Sequence, residues 1–577
     1  MNRRSRLNLL LMVLAAIFMW STTGCGGCSE DGAGGGTLEG GDASPGESGD
    51  TGDAAVELDA VSDASSGGSD ATDTRPQPSD ADDARDDTGP DYSEECPAYQ
   101  ALCDGECIPA SADPDNCGGC GVSCAADQVC SGGRCIEQNE CMSNLKACDR
   151  RCVDLMNDDD HCDDCGEACP DGEGCVNGEC VTRVELGDPP AKCVDGGPPI
   201  DIDADPGQPA QCGANVAERT FLWGLCSCDD IDINDGLFVD AYDSNYGPYA
   251  PGGLGGGVGI NGWLRANNEL EVSGTLWVSD VDGIDLGHTS SIDQRLHVGG
   301  RVSNNAQVRV GEDAYVNGPF ALGDPFDVTG TLHAPDGVTL DPELSYGALQ
   351  RQPVDVAPPC QRCESDDRIP VGDIVAARAD NNDNDLIGLD PDLLADHTED
   401  VVRRLDLPCG HYYLSSINVS GATTIVATGN TALYIGADLK AEEELTITLT
   451  PDAQLDVFVA GDVTTDNPST LGSPNYPALM RVYVGGPNGM TSNNPLRVGA
   501  NVYAVPGGAT NNNPIEVYGS LYTQTLAANN EAFIHYDRRV ATVGESCPDP
   551  DPDPDPDSDA GYDAGSDGGM DGGMDGG

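Results

Sequence analysis

The chain of 577 residues carries 100 acidic and 27 basic residues, which gives a formal charge of -73 at pH 7. Nucleic acids attract proteins through clustered basic residues, so this balance argues against nucleic acid as a partner. With 5% aromatic residues and 75 glycines, the composition also argues against one large, close-packed enzyme core.

Residues 1–24 have the features of an export signal. A segment with three arginines precedes an apolar run, residues 9–20, that is too short for a comfortable transmembrane helix. The signal ends in Thr-Thr-Gly-Cys, which resembles the lipobox of bacterial lipoproteins. This resemblance implies cleavage after Gly24 and a lipid on Cys25 that tethers the protein to the outer membrane. The alternative is an ordinary cleaved signal followed by an unmodified cysteine.

Two low-complexity acidic segments flank the rest of the chain. The segment 25–95 and the tail 546–577 are rich in Asp, Gly, Ser and Pro and lack aliphatic periodicity. Like charges repel and little apolar surface is available for burial, so both are predicted to be disordered. Cys28 in the first segment has no obvious partner.

Residues 96–182 contain two tandem repeats, and every cysteine of the second lies 45 residues after its counterpart in the first. Exported thiols form disulfides, and units this small need such staples. We therefore predict disulfides at all sixteen positions, with the pairing left open because eight cysteines allow 105 schemes per repeat. These positions are Cys96, Cys103, Cys107, Cys117, Cys120, Cys124, Cys130 and Cys135, then Cys141, Cys148, Cys152, Cys162, Cys165, Cys169, Cys175 and Cys180.

The CxxC of Cys117 and Cys120 raises two alternatives. A structural zinc site needs four Cys or His ligands, commonly in two spaced pairs, whereas this repeat offers one CxxC and six further cysteines. A redox pair needs a helix N-terminus, and GVSCAADQ after the CxxC offers none. We expect no metal and no cofactor here.

From residue 190 to 545 the pattern apolar-x-Gly-x-apolar recurs, as in Val272-Ser-Gly-Thr-Leu276. It is interpreted as a β-strand whose central glycine suits a bend or a close approach of neighbouring backbone. The segments 493–504 and 512–523 align at an offset of 19 residues. Such repeats predict a mainly β fold with a parallel β-helix in two parts, 190–345 and 401–545, around a connector, 346–400, with one short helix. The alternative is a β-sandwich.

Several segments of the second part resemble a bacterial domain of unknown function. They are LPCGHYYLSSINVSG, TALYIGADL, QLDVFVAGDV, NVYAVPGG, VYGSLYT and AFIHYD, in that order between residues 407 and 537. The resemblance covers about 400–545 and implies a β-helix of the kind found in exported and pilus-associated surface proteins. The cysteine repeats are similar to those of cysteine-rich surface lipoproteins of Gram-negative bacteria.

Few residues outside the repeats suggest chemistry. The acidic runs 230–236 and 380–385 offer oxygen ligands for calcium, but both miss the glycine of the EF-hand turn. No catalytic motif is present in the sequence, and His411 and His535 are expected to pack or cap turns. Eight further cysteines are expected to form bridges: Cys193, Cys212, Cys226, Cys228, Cys360, Cys363, Cys409 and Cys547.

These observations predict an exported, lipid-anchored, non-enzymatic protein at the cell surface. Its expected role is structural or adhesive, with the membrane as one partner and a surface protein or polysaccharide as another. Two alternatives remain from other classes: a carbohydrate-active β-helix enzyme and a calcium-dependent binding module.

Overall fold

The computed structural model describes residues 101–103, 106–108, 110, 113–131, 133–138, 141, 145–202, 212–246, 249–395, 402–451 and 453–543. Two small disulfide-rich units precede a parallel β-helix, which confirms the predicted fold class. The strand pairings of the described helix are parallel throughout, so the β-sandwich alternative is wrong. The export signal, Cys25, Cys28, the acidic linker, Cys96, Cys547 and the acidic tail lie outside the described residues.

Each turn of the β-helix contributes one strand to each of three faces. Face 1 has eleven strands, in spatial order Ile417–Val419, Leu439–Ala441, Val463–Thr465, Met490–Ser492, Ala509–Asn511, Leu526–Ala528, Ile231–Ile233, Leu264–Ala266, Ile284–Leu286, Val302–Asn304 and Phe320–Leu322. Face 2 comprises Gly410–Leu414, Thr431–Ile435, Leu455–Val459, Met480–Val484, Asn501–Ala504, Leu521–Thr523, Leu225–Ser227, Val258–Ile260, Leu276–Val278, Leu296–Val298 and Ala314–Val316. Face 3 comprises Arg403–Leu407, Thr423–Ala427, Leu445–Leu449, Ser469–Gly472, Leu496–Gly499, Ile515–Tyr518, Ala532–Asp537, Leu237–Tyr242, Leu270–Val272, Ser290–Ile292 and Val308–Val310. Two longer strands, Phe326–Ala334 and Leu344–Arg351, bend across faces 3 and 2 and finish the helix.

The short strands follow from the alternation of side chains. In a three-residue strand such as Leu296–Val298, the outer two residues point into the helix and the middle one points outward. The inward residues of all turns form one continuous apolar core from one end of the helix to the other. The predicted 19-residue offset is the length of one turn, because Leu496 pairs with Ile515 on the next turn.

Spatial order and chain order differ in this helix. The first half, residues 225–351, starts in the middle and winds to one end, whereas the second half, 403–537, starts at the opposite end and winds back toward the middle. Its last turn stacks on the first turn of the first half: Leu521 pairs with Leu225, Leu526 with Ile231, and Ala532 with Leu237. This contact is called the junction.

Residues 352–395, here called the strap, carry the chain back along face 2 from one end of the helix to the other. Their contacts move progressively along the face: Gln352 Nε2 lies 3.0 Å from His333 Nδ1, Trp277 Nε1 donates to Ala357 O, and Tyr522 accepts from the backbone of Arg362. Eleven strands spaced about 4.8 Å apart make face 1 roughly 50 Å long, a distance that the strap easily covers.

The strap contains two helices, Val371–Arg378 and Asn384–Ile387, where the sequence predicted one. A third α-helix, Gly213–Thr220, packs beside it on face 2, and short 3₁₀ turns cover Ala191–Gly196, Ser244–Tyr246, Pro477–Leu479 and Arg538–Thr542. Ile387 at the end of the second helix, together with Leu389 and Leu394 after it, closes the core at the Arg403 end. Among the described residues, none of the helices has the length and apolar character needed to cross a membrane.

The cysteine repeats are built from short antiparallel hairpins. Their strands are Ala101–Cys103, Glu106–Ile108, Gln128–Ser131 and Arg134–Glu137, then Lys146–Cys148, Arg151–Val153, Glu173–Val176 and Glu179–Thr182. In each repeat three disulfides follow the same scheme, offset by 45 residues. They are Cys103–Cys120, Cys117–Cys130 and Cys124–Cys135 in the first, and Cys148–Cys165, Cys162–Cys175 and Cys169–Cys180 in the second, which also has Cys141–Cys152.

The glycine of the recurring motif lies at a bend with closely approaching backbone, as predicted, but most copies lie between two strands and not within one. In most copies it marks a corner between two strands: Val272 ends one strand, Leu276 begins the next, and Gly274 turns between them. Only Val328-Thr-Gly-Thr-Leu332 lies within a single strand, at an irregularity in register. At a corner the backbone of the neighbouring turn approaches so closely that a Cβ on Gly318 would collide with the carbonyl of Gly300.

Replacing Gly318 with alanine is therefore expected to lower the free energy of unfolding by about 1–3 kcal/mol, because the neighbouring backbone must shift to admit the methyl group. Urea denaturation followed by circular dichroism measures the change. Gly337→Ala is the matched control: its Cβ would meet nothing within 4 Å, and we expect a change within about 0.5 kcal/mol. Equal effects of the two substitutions would contradict the corner assignment.

Candidate functional site at the junction of the two halves

The outward side chains of face 2 form an aromatic column beneath the strap. Tyr434, Phe458 and Tyr483 stack at centroid distances of 5.3 and 4.7 Å, and Trp277, His297, Tyr315 and His333 continue the column at 4.0, 4.6 and 4.2 Å in the first half. Because the strap covers much of this column, faces 1 and 3 provide the surface open to a macromolecular ligand.

The junction is the place where distant parts of the sequence meet on face 3. Six consecutive residue pairs join Ala532–Asp537 to Leu237–Tyr242. The rings of Phe238 and Phe533 stack across it with centroids 5.1 Å apart. On the neighbouring corner, the amide of Asn234 donates to Asn529 within a ladder of asparagine side chains that passes from one half into the other. The ladder makes the two halves one uninterrupted helix.

A group of ionisable residues, here called the junction cluster, lies beside these rings: Asp240, Tyr249, Glu516, Tyr518 and His535. His535 Nδ1 is 2.7 Å from Asp240 Oδ1, and its Nε2 is 3.8 Å from Glu516 Oε1. The hydroxyl of Tyr249 donates to Asp240, and that of Tyr518 donates to Glu516, each at 2.8 Å. The ring of Tyr249 lies over the imidazole with centroids 3.9 Å apart, and His535 is only 7% exposed.

The cluster favours its charged forms. Burial lowers the pKa of His535, but the hydrogen bonds and charges of Asp240 and Glu516 outweigh this effect and raise the pKa above its usual 6.5. The imidazolium of His535, 3.8 Å away, lowers the pKa of Glu516 to about 2. A general acid or base works best with a pKa near the operating pH and an open path to substrate. Here the imidazolium and carboxylates neutralise one another under a tyrosine ring, so the cluster acts as a clamp on the junction.

Asp537 forms a second buried contact across the junction. Its carboxylate is fully buried and accepts hydrogen bonds from the backbone and hydroxyl of Ser244 and from the backbone of Arg539. Burial raises its pKa to about 6, although these hydrogen bonds oppose the shift. The residue ties the loop after the first turn of one half to the last strand of the other.

A groove of about 510 Å³ runs over five turns of face 3 next to the junction. One wall is the second cysteine repeat, with Met156, and the other is the solenoid, with Leu496, Phe533 and the prolines that open successive strands. Arg497 and Glu516 lie in it 3.3 Å apart. Burial, together with the charge of Asp154 opposite, raises the pKa of Glu444 at one side of the groove. Apolar walls with a few polar groups are typical of a ligand-binding groove.

The groove keeps its shape because the second cysteine repeat is fixed to the solenoid by charges. Arg404 on the first turn is 5% exposed, and its Nη1 donates to the carbonyl of Cys175 at 2.8 Å. It also pairs with Asp406 and with Asp159 of the repeat, which in turn binds Arg183 at 2.5 Å. These alternating charges satisfy one another, so they position the repeat in spite of their burial.

Fourteen of the sixteen cysteines predicted to form disulfides in the repeats are joined in pairs in the described structure, and bridges outside the repeats connect distant segments. In each repeat three sulfurs lie within 4.8 Å of one another, but each belongs to a disulfide and is not a thiolate ligand. Cys193–Cys409, Cys226–Cys360 and Cys228–Cys363 join the segment before the helix and the strap to the helix, and Cys212 is disulfide-bonded too. The sequence predicted bridges at these positions, but it did not specify which cysteines pair.

The residues considered for calcium have other contacts. Asp232 pairs with Arg265, and Asp235 accepts from the backbone of Gly236. In the second acidic run, Asp383 binds Lys192 Nζ at 2.6 Å and the backbone of His411. The contacts of Asp383 attach the strap to the helix and to the segment before it.

His411 packs as the sequence predicted. For His535 the sequence also predicted packing or capping, but it did not predict the acidic residues that His535 contacts. His411 Nδ1 lies 3.0 Å from the hydroxyl of Tyr434 beneath the strap, where burial lowers its pKa to about 4. For His535 the missed residue is Asp240, which lies 295 positions earlier. No local motif can indicate such a contact, because it requires the last turn of the second half to meet the first turn of the first half.

The junction cluster predicts a pH dependence of stability. The folded state binds the His535 proton more tightly than the unfolded state, so its contribution is fully present below pH 6.5 and is lost as the pH rises through the raised pKa. Between pH 6 and 9 the thermal midpoint of the native protein should therefore fall relative to that of Asp240→Asn. His297→Gln is the control, since burial lowers the pKa of His297 to about 4, below this range. Parallel curves for the native protein and Asp240→Asn would contradict the clamp.

One protein-family model matches part of this chain. The model described as Domain of unknown function (DUF7305) matches residues 363–543. The matched segment comprises the later part of the strap and the second half of the helix, which fits a β-helical domain of unknown function. The first half continues the same helix beyond the junction and lies outside the match. No curated protein and no solved structure matches the chain.

Proposed function

We propose that the protein is an exported, lipid-anchored, non-enzymatic surface protein with a structural or adhesive role. The observation that carries the proposal is the disulfide framework, in which bridges such as Cys193–Cys409 join segments 216 residues apart. Such bridges persist in oxidising compartments and are reduced in the cytosol. Cys25 supplies the anchor, and the acidic linker holds the folded part away from the membrane.

The binding role is supported by the rigidity of face 3 and by its groove. The strap, the junction cluster and the charged contacts of Arg404 all fix the groove before any ligand arrives. A preformed site avoids the entropic cost of ordering on binding, so even modest contacts over five turns give useful affinity. The expected ligand is a surface protein or an extracellular polysaccharide.

Anchoring and location are tested together by replacing Cys25 with alanine in the native host. We expect this variant to leave the membrane fraction, and we expect the N-terminal peptide of the native protein to carry the mass of the lipid. Cys28→Ala is the matched control and should remain in the membrane. Protease added to intact cells should digest the native protein. Retention of Cys25→Ala in the membrane, or full protection from the protease, would reject the proposal.

A carbohydrate-active enzyme is the second candidate, and one pair of carboxyl groups favours it. Glu444 and Asp154 both line the groove, and the raised pKa of Glu444 is the property that a glycosidase general acid needs. In this case Glu444→Gln would abolish hydrolysis of a polysaccharide that the native protein cleaves, while Glu443→Gln, next to it in the sequence, would not. Absence of cleavage by the native protein over a panel of polysaccharides would reject this candidate.

A further inference from the structure

One tryptophan on the surface of the helix has a setting unlike that of its neighbours. Trp223 and Trp277 pack edge to face with centroids 6.4 Å apart, and Trp277 donates to the strap. Trp263 instead lies half-buried at the corner between faces 2 and 1, with Arg265 Cζ 5.5 Å from its ring centroid. No described residue accepts a hydrogen bond from its indole N–H. The packing of the helix therefore does not account for a large aromatic side chain at this position.

A notch opens beside this ring because the next corner carries no side chain. Trp263, Gly283 and Arg301 occupy equivalent corners of three successive turns, since Leu264 binds the carbonyl of Gly283 and Ile284 binds that of Arg301. Gly283 has φ +70°, and a Cβ there would collide with the backbone of Arg301. The missing side chain leaves a cavity of about 320 Å³ between the indole and the arginine.

The polar groups around the notch provide both acceptors and donors. Asp285 holds the hydroxyl of Ser303 with one oxygen, at 2.8 Å, and Asp282 is exposed beside it. Arg301 is exposed and forms no ion pair with a described residue. Arg265 is fixed by Asp232, with Nε 3.0 Å from Oδ1, so the ring that it contacts is fixed as well. The notch is thus rigid on its aromatic side.

We propose that this notch binds a neutral pyranose unit of an extracellular polysaccharide, an inference that rests on the proposed binding role and specifies its ligand. The C–H face of a pyranose packs against an indole, a large and rigid apolar surface. Asp282 and Asp285 accept hydrogen bonds from sugar hydroxyls, and Arg301 donates to hydroxyl or ring oxygens. A uronic acid is disfavoured because two aspartates line the notch and the whole chain carries a charge of -73.

The proposal is tested on the full chain in detergent, with oligosaccharides of glucose, galactose, mannose and N-acetylglucosamine as probes and a galacturonate oligomer for comparison. Calorimetry and tryptophan fluorescence follow binding. We expect at least one neutral oligosaccharide to bind and to change the fluorescence, and Trp263→Ala to weaken its binding about tenfold or more. Trp263→Phe, which keeps a ring, should lose less, and Arg301→Ala should also weaken binding. Arg309→Ala, an exposed arginine on face 3, is the matched control and should bind as the native protein does.

Three results would overturn the proposal: no neutral oligosaccharide binds, Trp263→Ala binds as tightly as the native protein, or galacturonate binds more tightly than every neutral probe. Because binding is measured in detergent, none of these outcomes depends on where the protein resides. Failure of the notch therefore leaves the Cys25 experiment unaffected, and failure of anchoring leaves the binding measurement interpretable.

Discussion

Replacing Asp456 with alanine will lower the free energy of unfolding by about 3–5 kcal/mol, because it removes the carboxylate that neutralises the fully buried guanidinium of Arg481. Both side chains are 0% exposed, with Arg481 Nε 2.5 Å from Asp456 Oδ1 and Nη2 3.0 Å from Oδ2. They lie on face 2 beneath the helix Gly213–Thr220, whose first residue contacts the carboxylate. Urea denaturation followed by circular dichroism measures the loss.

Two further variants distinguish a buried charge from a simple loss of packing. The double variant Asp456→Leu with Arg481→Met removes both charges and should recover much of the loss, since a buried pair replaced by apolar groups is often tolerated. At the surface, Glu442→Ala breaks the exposed pair with Lys440 and should cost at most about 0.5 kcal/mol. If the double variant were as unstable as Asp456→Ala, the packing of the two side chains, and not their charge, would determine stability at this site.

The β-helix could be predicted from the sequence because each turn repeats the same local arrangement. In the aligned segments at 493–504 and 512–523, the aliphatic residues that recur at the 19-residue offset point into the core, so the same inward positions produce both the sequence repeat and the fold. The boundaries of the strands were harder to predict. Gly274 and Gly318 were placed within strands, although they turn corners, because a central glycine between apolar residues fits both arrangements until the neighbouring turn is known.

The order of the two halves could not be predicted, and the candidate site depends on it. The inward residues of every turn are alike. No local sequence feature therefore indicates that the strand with Tyr522 pairs with the strand of Cys226 instead of forming an exposed end of the helix. The pairing brings Asp240 to His535 and Phe238 to Phe533, contacts between residues 295 positions apart. One signal was present: two cysteines at 226 and 228 match two at 360 and 363, which favours a double bridge.

The domain match and the junction together suggest how the molecule is assembled. The matched segment, 363–543, begins at a cysteine that is bridged to the first turn of the unmatched half. A solenoid end exposes strand edges that invite pairing with other chains, and here the end of the second half is covered by the first half of the same chain. The Arg403 end is closed by the strap. The junction thus replaces a cap with a further five turns of helix.

Removing both strap disulfides will cost more than the sum of the two separate losses. Cys226–Cys360 and Cys228–Cys363 close loops of 134 and 135 residues, worth about 4–5 kcal/mol of chain entropy in the unfolded state. While either bridge remains, the long loop between the first turn and the strap stays closed. The second bridge then closes only a small additional loop of a few residues, which is worth about 2 kcal/mol. Each pair replaced by alanines should therefore lose about 2 kcal/mol, and both pairs together about 6–7 kcal/mol.

A double-mutant cycle isolates this coupling, because the loss of each buried sulfur contributes equally to single and double variants and cancels. Urea denaturation of the native protein, the two single-bridge variants and the variant without both gives the four free energies. Coupling of about 2–3 kcal/mol is expected from the entropic difference between the large loop and the small one. Additive losses would mean that the strap stays near the first turn in the unfolded chain without either bridge. Other contacts would then keep the loop closed in the unfolded chain. The two halves would not depend on the strap disulfides to form one helix.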